Sequence, residues 1–383
     1  MPGQIEDILR GLESHFEYDN YKGWDIFDGL STPLSSTFLF QSHFIRLGWI
    51  QFFKKSPINL RPLFCIKKDY NPKALALILS GSLNRYKITK DQKYLTKAYT
   101  IADLIIQLIS EKKEYFCWGY NFPWEARAFS VPAFQPNMIV SCFCAQAFLD
   151  LYEIDHDSKW LKIAIDVSTF IQKELIIEEK EEEICLGYIP NEQTRVHNAN
   201  LIGACLLSRL FKITNDFHYK EISEKSVRYS VNRQNSDGSW FYGEQPYHKW
   251  IDNFHTGYNL VAIKRISTYL NNHEWDYSMT KGLKYHLENH FLKDFTPKYY
   301  NNYLYPIDIH NFAQGIVTFQ VFDRCDISEN VINKCLDMMY GYKKEYFFYY
   351  RTKYLTNKIN YFRWSQAWMY FALTNYLVCK YEG

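Results

Sequence analysis

Leu83-Asn84-Arg85-Tyr86-Lys87-Ile88-Thr89-Lys90-Asp91, Leu149-Asp150-Leu151-Tyr152-Glu153-Ile154-Asp155-His156-Asp157 and Leu207-Ser208-Arg209-Leu210-Phe211-Lys212-Ile213-Thr214-Asn215-Asp216 are three versions of one pattern. Each ends an apolar stretch. Each is followed by an aromatic residue (Tyr94, Trp160, Tyr219) that opens an amphipathic one. The matching aspartates, Asp91, Asp157 and Asp216, stand 66 and 59 residues apart, and a weaker copy runs from Ile266 to Trp275. Self-similarity at a fixed period marks an architecture built by repetition.

Working outward, the apolar stretch recurs near Pro72–Tyr86, Pro136–Tyr152, Asn198–Phe211, Thr256–Tyr269, Asn311–Phe322 and Trp364–Tyr376. Small apolar residues cover nearly all sides of these helices, as in Ile202–Leu207, so they are expected to be buried. Amphipathic helices are expected between them, near Lys93–Ser110, Lys159–Leu175, His218–Asn232, Glu274–Phe291 and Ile327–Tyr342, with Ser36–Lys54 as the sixth partner. Tyr94, Ala98, Ile101, Ala102 and Ile105 show the stripe of a helix exposed on one side. Six inner–outer hairpins with equal small rotations close on themselves and leave no terminal face to cap. The fold class is therefore all-α: an (α/α)6 toroid of about twelve helices plus a short N-terminal helix. An open superhelix such as a tetratricopeptide array would show a period near 34 residues, and none is visible.

Bulk properties agree. The 383 residues contain no Ser/Gly-rich linker or low-complexity run, so residues 1–383 read as one domain. A net charge of +2 with well-mixed signs argues against a nucleic-acid partner. No apolar run is long enough for a transmembrane segment. Residues 1–10 are polar and acidic, unlike a signal peptide. Nine scattered cysteines without a CxxC pair suggest a reduced, cytoplasmic protein with no structural zinc.

The unusual polar residues stand just before the apolar helices, where a toroid brings loops together at its mouth. These are Trp118–Arg127, Arg195–Asn200, Trp250–Asn259, Tyr305–Asn311 and Tyr361–Gln366, with Trp24–Leu30 of the same character. A lone His or Asn there is commonly a helix cap or a satisfied buried group. Several such clusters at equivalent repeat positions point instead to one pocket. Trp118, Trp124, Trp240, Trp250 and Trp364 beside Asn121, Glu125, Arg127, Asn198, Asn253, Asp308 and Arg363 suit sugar rings: the apolar face stacks on indole while the hydroxyls take hydrogen bonds.

Gln234-Asn235-Ser236-Asp237-Gly238-Ser239-Trp240 resembles the Gln–Trp motif of terpenoid-cyclase and prenyltransferase toroids. That resemblance implies a structural role, the glutamine tied to a helix end and the tryptophan packed on the next helix. The acid motif of triterpene cyclases and a prenyltransferase zinc triad are both missing. Trp24–Leu30, Asn59–Leu63, Cys117–Arg127, Val196–Leu201, Trp250–Tyr258, Asp308-Ile309-His310 with Gln314, and Arg363–Trp368 together resemble a family of soluble toroid proteins encoded among bacterial capsule, O-antigen and exopolysaccharide genes. The resemblance covers nearly the whole chain. It implies a glycan setting, with an oligo- or polysaccharide or a lipid-linked sugar as partner.

Two chemistries fit these residue types. Proton abstraction at C5 of a uronic acid unit, by an epimerase or lyase, needs an acid/base pair and a group that neutralises the carboxylate. His255, His197, His310 and Tyr258 are candidates for the first, with Asp252 orienting the proton work; Asn121, Asn198, Asn253, Arg127 and Arg363 are candidates for the second. Helical toroid lyases and uronyl epimerases use similar residue types. Glycoside hydrolysis or transglycosylation would need two carboxyls across the bond, from among Asp252, Asp308, Glu125, Asp25 and Asp28. Asp252 and Asp308 also read as simple N-caps. A third reading is a non-catalytic glycan-binding component of a polysaccharide assembly complex. No cofactor is expected, since no Gly-rich phosphate loop occurs. A metal held by His197, His255 and His310 is disfavoured because whole repeats separate them.

Overall fold

The computed structural model describes residues 2–110, 114–125 and 130–382. Each copy of the repeated pattern is a helix end joined to a helix start. Lys90, His156 and Asn215 adopt left-handed backbone at φ of 56°, 57° and 58° and close the helix before them. Asp91, Asp157 and Asp216 follow, and each carboxylate accepts from the backbone N–H two residues on. Such caps contribute about 0.5–2 kcal/mol each and fix where the chain reverses.

Among the described residues there are thirteen α-helices: α1 (Pro2–Tyr18), α2 (His43–Lys55), α3 (Pro72–Thr89), α4 (Gln92–Ile106), α5 (Met138–Asp155), α6 (Ser158–Glu174), α7 (His197–Thr214), α8 (Phe217–Val231), α9 (Asn253–Leu270), α10 (Asp276–His290), α11 (Ile309–Val321), α12 (Cys325–Met339) and α13 (Trp368–Glu382). A π-helical turn, Phe362–Ala367, leads into α13. The odd-numbered helices from α3 to α13 form the inner ring. Each packs on the next, and α13 returns to α3, so the ring is closed. Close approach matters here: a Cβ on Gly257 of α9 would sit 2.7 Å from the side chain of Gln314 on α11. Helices α4, α6, α8, α10 and α12 back the inner helices that precede them. The all-α (α/α)6 toroid is the observed architecture.

One expectation is corrected. The sixth outer helix is α1, not the segment Ser36–Lys54. Ile5, Ile8, Leu9, Leu12 and Phe16 form a single buried stripe, and α1 packs on α13. Tyr370 of α13 donates to Glu13 at 2.9 Å, and Arg85 of α3 pairs with Glu6. The polar surface of residues 1–10 hides a stripe that recurs only every third or fourth residue. Helix α2 lies instead across one end of the ring.

The Gln234–Trp240 loop is structural. Gln234 Nε2 donates to the carbonyls of Gly238 (2.9 Å) and Ser278 (3.0 Å), the latter in the first turn of α10. Gly238 supplies the positive φ of 95° that the turn requires. The Trp240 indole packs on Gly282 of α10 and donates to the Ser230 carbonyl at 2.9 Å. The thiols are not all free: Cys325 and Cys379 form a disulfide between α12 and α13, and the other seven cysteines form no disulfide.

Candidate active site

Side chains on a helix advance by about 100° per residue, so position within the first turn decides which one faces the ring axis. In all six inner repeats it is the second residue: Lys73, Ile139, Asn198, Phe254, His310 and Arg363 line one cavity of about 480 Å³. The first residues point elsewhere. That volume is in the range of small-ligand sites.

On α9 the cap and the first turn build a dyad. Asp252 accepts from the His255 backbone N–H through Oδ1 at 2.9 Å. Its Oδ2 accepts from Trp250 Nε1 at 3.0 Å and bonds His255 Nδ1 at 2.7 Å. Since Nδ1–H donates to the carboxylate, Nε2 is the ring nitrogen open to a ligand. The imidazole is further held by Tyr242, 4.5 Å away between ring centroids, and Tyr242 stacks on Trp250 at 4.7 Å.

One helical turn on, Tyr258 Oη lies 2.7 Å from His310 Nε2. His310 Nδ1 faces the Trp364 carbonyl at 3.5 Å, which assigns the proton to Nδ1 and makes Tyr258 the donor. Burial, then Lys73 and Arg363, push His310 well below the ordinary histidine range, so it stays neutral. Burial likewise raises the Tyr258 hydroxyl well above its ordinary value. The His310 ring stacks on Trp364 at 4.3 Å. Behind them Asp308 Oδ1 accepts from the His310 backbone N–H and from Trp364 Nε1, both at 2.9 Å. Burial pushes that carboxyl up to about 6 against these bonds.

Two cations from the inner ring complete the cavity, and Lys54 of α2 adds a third from above. Arg363 donates to both oxygens of Asp25, at 2.6 and 2.8 Å. Lys73 is buried and forms no ion pair among the described residues. Its ammonium sits over Phe143, Trp368 and Tyr258 at 4.2, 5.2 and 5.5 Å. Those ring faces favour the charged form. Burial works the other way and prevails, with Arg363 adding to it, so Lys73 lies well below the usual lysine range.

The cavity thus gathers His255, His310, Asp252, Tyr258, Trp124, Glu125, Asn198, Trp250, Arg363 and Trp364 of the residues expected from sequence. Glu125 is committed to His43 (2.7 Å) and Arg46 (2.6 Å) of α2, which pins that helix over the mouth. Asp25 and Asp28 line a neighbouring cavity of about 500 Å³ beyond Arg363, Trp118 is core, and five more of the expected residues lie off the cavity. His197 and Asn253 are first residues of their helices: His197 turns to Ser230 of α8 at 3.2 Å, and Asn253 donates to the His290 carbonyl at 3.1 Å. Trp240 is core, and Asp308 lies behind Trp364. Asn121 accepts from Asn71 at 2.9 Å and lines the same neighbouring cavity. Arg127 lies outside the described residues. With His197 turned away, the three histidines do not converge, and no cluster able to hold a metal occurs among the described residues. Sequence reasoning missed Lys73, Tyr242, Tyr120 and Tyr188, all on the cavity wall. For Lys73 a signal existed: it follows the Asn71-Pro72 start of α3 and so holds the position that His310 holds in α11.

No protein-family model matches the chain. A curated relative, an uncharacterised protein of Caenorhabditis elegans, is 24% identical over 170 residues, which is 42% of this chain. The chain spans only 23% of that relative's length. Solved structures share the fold at low identity. Cellobiose 2-epimerase from Bacillus thermoamylovorans superposes with a TM-score of 0.65 at 11% identity, over 81% of this chain and 88% of that one. A polysaccharide lyase superposes at 0.56 and 11% identity over 99% and 98%. A family 88 glycosyl hydrolase from Bacteroides vulgatus superposes at 0.56 and 13% identity over 81% and 93%.

Proposed function

We infer that this chain is a carbohydrate-active enzyme that abstracts the C5 proton of a uronic acid unit, as an epimerase or lyase. One observation carries the reading: two separate proton-handling pairs, His255–Asp252 and Tyr258–His310, share a cavity with a buried lysine that has no anionic partner among the described residues. His255 Nε2 takes the proton from C5. The charge left on the carboxylate-stabilised carbanion is met by Lys73, whose ammonium form a bound carboxylate favours. Tyr258 turns its hydroxyl proton from His310 to the substrate; the phenolate left beside Lys73 and Arg363 regains a proton from solvent as His255 releases the one it took. Return to the opposite face of C5 gives the epimer; transfer to the departing O4 gives the unsaturated product. Trp250, Tyr242, Trp124 and Trp364 supply flat faces for sugar rings. The likeness to an epimerase and a lyase agrees by analogy of fold. The motif order quoted above suggests a bacterial surface polysaccharide or its lipid-linked precursor as substrate.

Paired-carboxylate hydrolysis has less support. Asp252 is taken up by His255 and Trp250, Glu125 by α2, and Asp308 is covered by Trp364.

The test is proton NMR of uronate-containing and neutral polysaccharides incubated with the protein in heavy water, repeated with His255→Ala. Loss of the H5 signal, abolished by the substitution, is the expected result. New reducing ends without exchange would sink proton abstraction in favour of hydrolysis. Saturable binding with neither change would make this a binding component.

A further inference from the structure

The segment that crosses the mouth has its apolar side outward. On α2, Phe44, Ile45 and Phe52 share one exposed face with Gly48, Gln51 and Lys55, while Ile50 and Phe53 are buried beneath. The loops on either side continue it. Phe38 is 77% exposed, Phe44 82%, Ile58 68% and Leu63 74%. Of the large apolar side chains other than tyrosine that are exposed among the described residues, only Phe217, Leu292 and Leu355 lie outside Leu34–Leu63. Leu355 belongs to the same surface. It and Tyr354 sit at the tip of a β-hairpin, Tyr350–Arg351 paired with Thr356–Asn357, which is tied to the end of α2 by Tyr350 Oη to the Lys55 carbonyl and Asn357 Nδ2 to the Ser56 carbonyl, both at 2.8 Å. Concentrated exposed apolar surface of this kind marks an interaction site.

Charge selects the partner. Between Asp28 and Asp69 the chain has six basic residues and no acidic one; between Glu345 and Glu382 it has five and none. Most of the arginines are spent inside, Arg46 on Glu125, Arg61 on Asp28 and Arg363 on Asp25. Lys55, Lys67, Arg351 and Lys353 remain exposed around the apolar residues, with no ion pair among the described residues. A net charge of only +2 makes this a local excess. No described helix is long and apolar enough to cross a membrane. Aromatic and aliphatic side chains on one helix face, rimmed by cations, instead match a helix lying in the headgroup layer.

We propose that this face docks on an anionic phospholipid bilayer, α2 lying in its surface and the cavity mouth turned toward it. The opposite side of α2 faces the cavity through Ile50 and Lys54, with Gln51 at the edge between the two sides, so docking would set the site beside the headgroups. The inference is independent of the reaction.

The test sediments the full chain with vesicles of phosphatidylcholine alone and of phosphatidylcholine and phosphatidylglycerol in equal parts. At least about tenfold tighter binding to the anionic vesicles is expected, weakening as salt is added. Phe38→Ser with Phe44→Ser is expected to cut binding about tenfold or more with the thermal midpoint kept, since both side chains are exposed. Lys55→Glu with Lys353→Glu should remove the preference for anionic lipid. Equal or absent binding of the unmodified chain to both vesicles overturns the proposal, whatever the variants do. So does self-association in lipid-free sedimentation velocity that the phenylalanine pair abolishes, because the face would then belong to a second copy.

Discussion

His197 and His255 stand in the first turns of neighbouring inner helices, yet they belong to different worlds. His197 is the first residue of α7 and is sealed against Ser230, beside the Asn200 that also bonds Ser230 at 2.9 Å. Burial pushes it down to about 3, so it is a neutral packing group. His255 is the third residue of α9, keeps an open edge on the cavity, and is aimed by Asp252. The same residue type at nearly the same repeat position becomes structure or chemistry according to a rotation of two residues. In a toroid the helix phase assigns the role.

The largest expected effect breaks the pair apart. His255→Ala should lower the rate of H5 exchange about 10²–10⁴-fold, the usual contribution of a positioned acid or base. His197→Ala should leave that rate nearly unchanged in protein that remains folded. If both variants fold and both are inactive, the assignment by phase is wrong. Next comes Lys73→Met. Loss of a charge-assisted contact worth about 1.5–3 kcal/mol predicts a kcat/KM for uronate substrates lower by about 10- to 100-fold. Binding of neutral sugars should hold, and the thermal midpoint should rise, because a buried amine without an ion pair is replaced by an apolar chain.

His197→Ala should appear in urea titration instead, as a loss of about 1–3 kcal/mol from the unpaired groups around Ser230. The smallest effect is in the pH dependence of that stability. The unfolded histidine binds a proton near 6.5, whereas the folded one binds only near 3. Its contribution is therefore full above pH 6.5 and is lost as pH falls toward 3, at up to about 1.4 kcal/mol per pH unit. His197→Gln should flatten this acid limb. His286, also pushed down to about 3 by burial, keeps part of it.

Much of the ring was legible because its signals are local. The left-handed ends at Lys90, His156 and Asn215 and the caps at Asp91, Asp157 and Asp216 recur in the chain as they do in space. The inner helices announced themselves by being apolar on all sides. What failed depended on orientation. Helix α1 carries a narrow stripe under a polar surface. The Ser36–Lys54 segment is apolar enough to seem an outer helix, but it turns much of that surface outward. His197 and Asn253 were chosen with their clusters, and a shift of one residue points them away from the axis. Lys73 was overlooked because a lysine just after Asn71-Pro72 reads as the start of a buried helix, and nothing in a linear pattern shows that its amine lacks an ion pair.

The meeting of α1 with α13 has a practical corollary. Phe16 at the end of α1 packs on Phe362 at the mouth side, so the first turn of α1 and the last turn of α13 both lie on the far face. Linking those ends by a short peptide would make the backbone a loop without a privileged start. It could then be reopened at another far-face turn, such as the one between α5 and α6, as a circular permutant. For the same reason a tag or a solid support attached at either end would leave the opening over the cavity unobstructed.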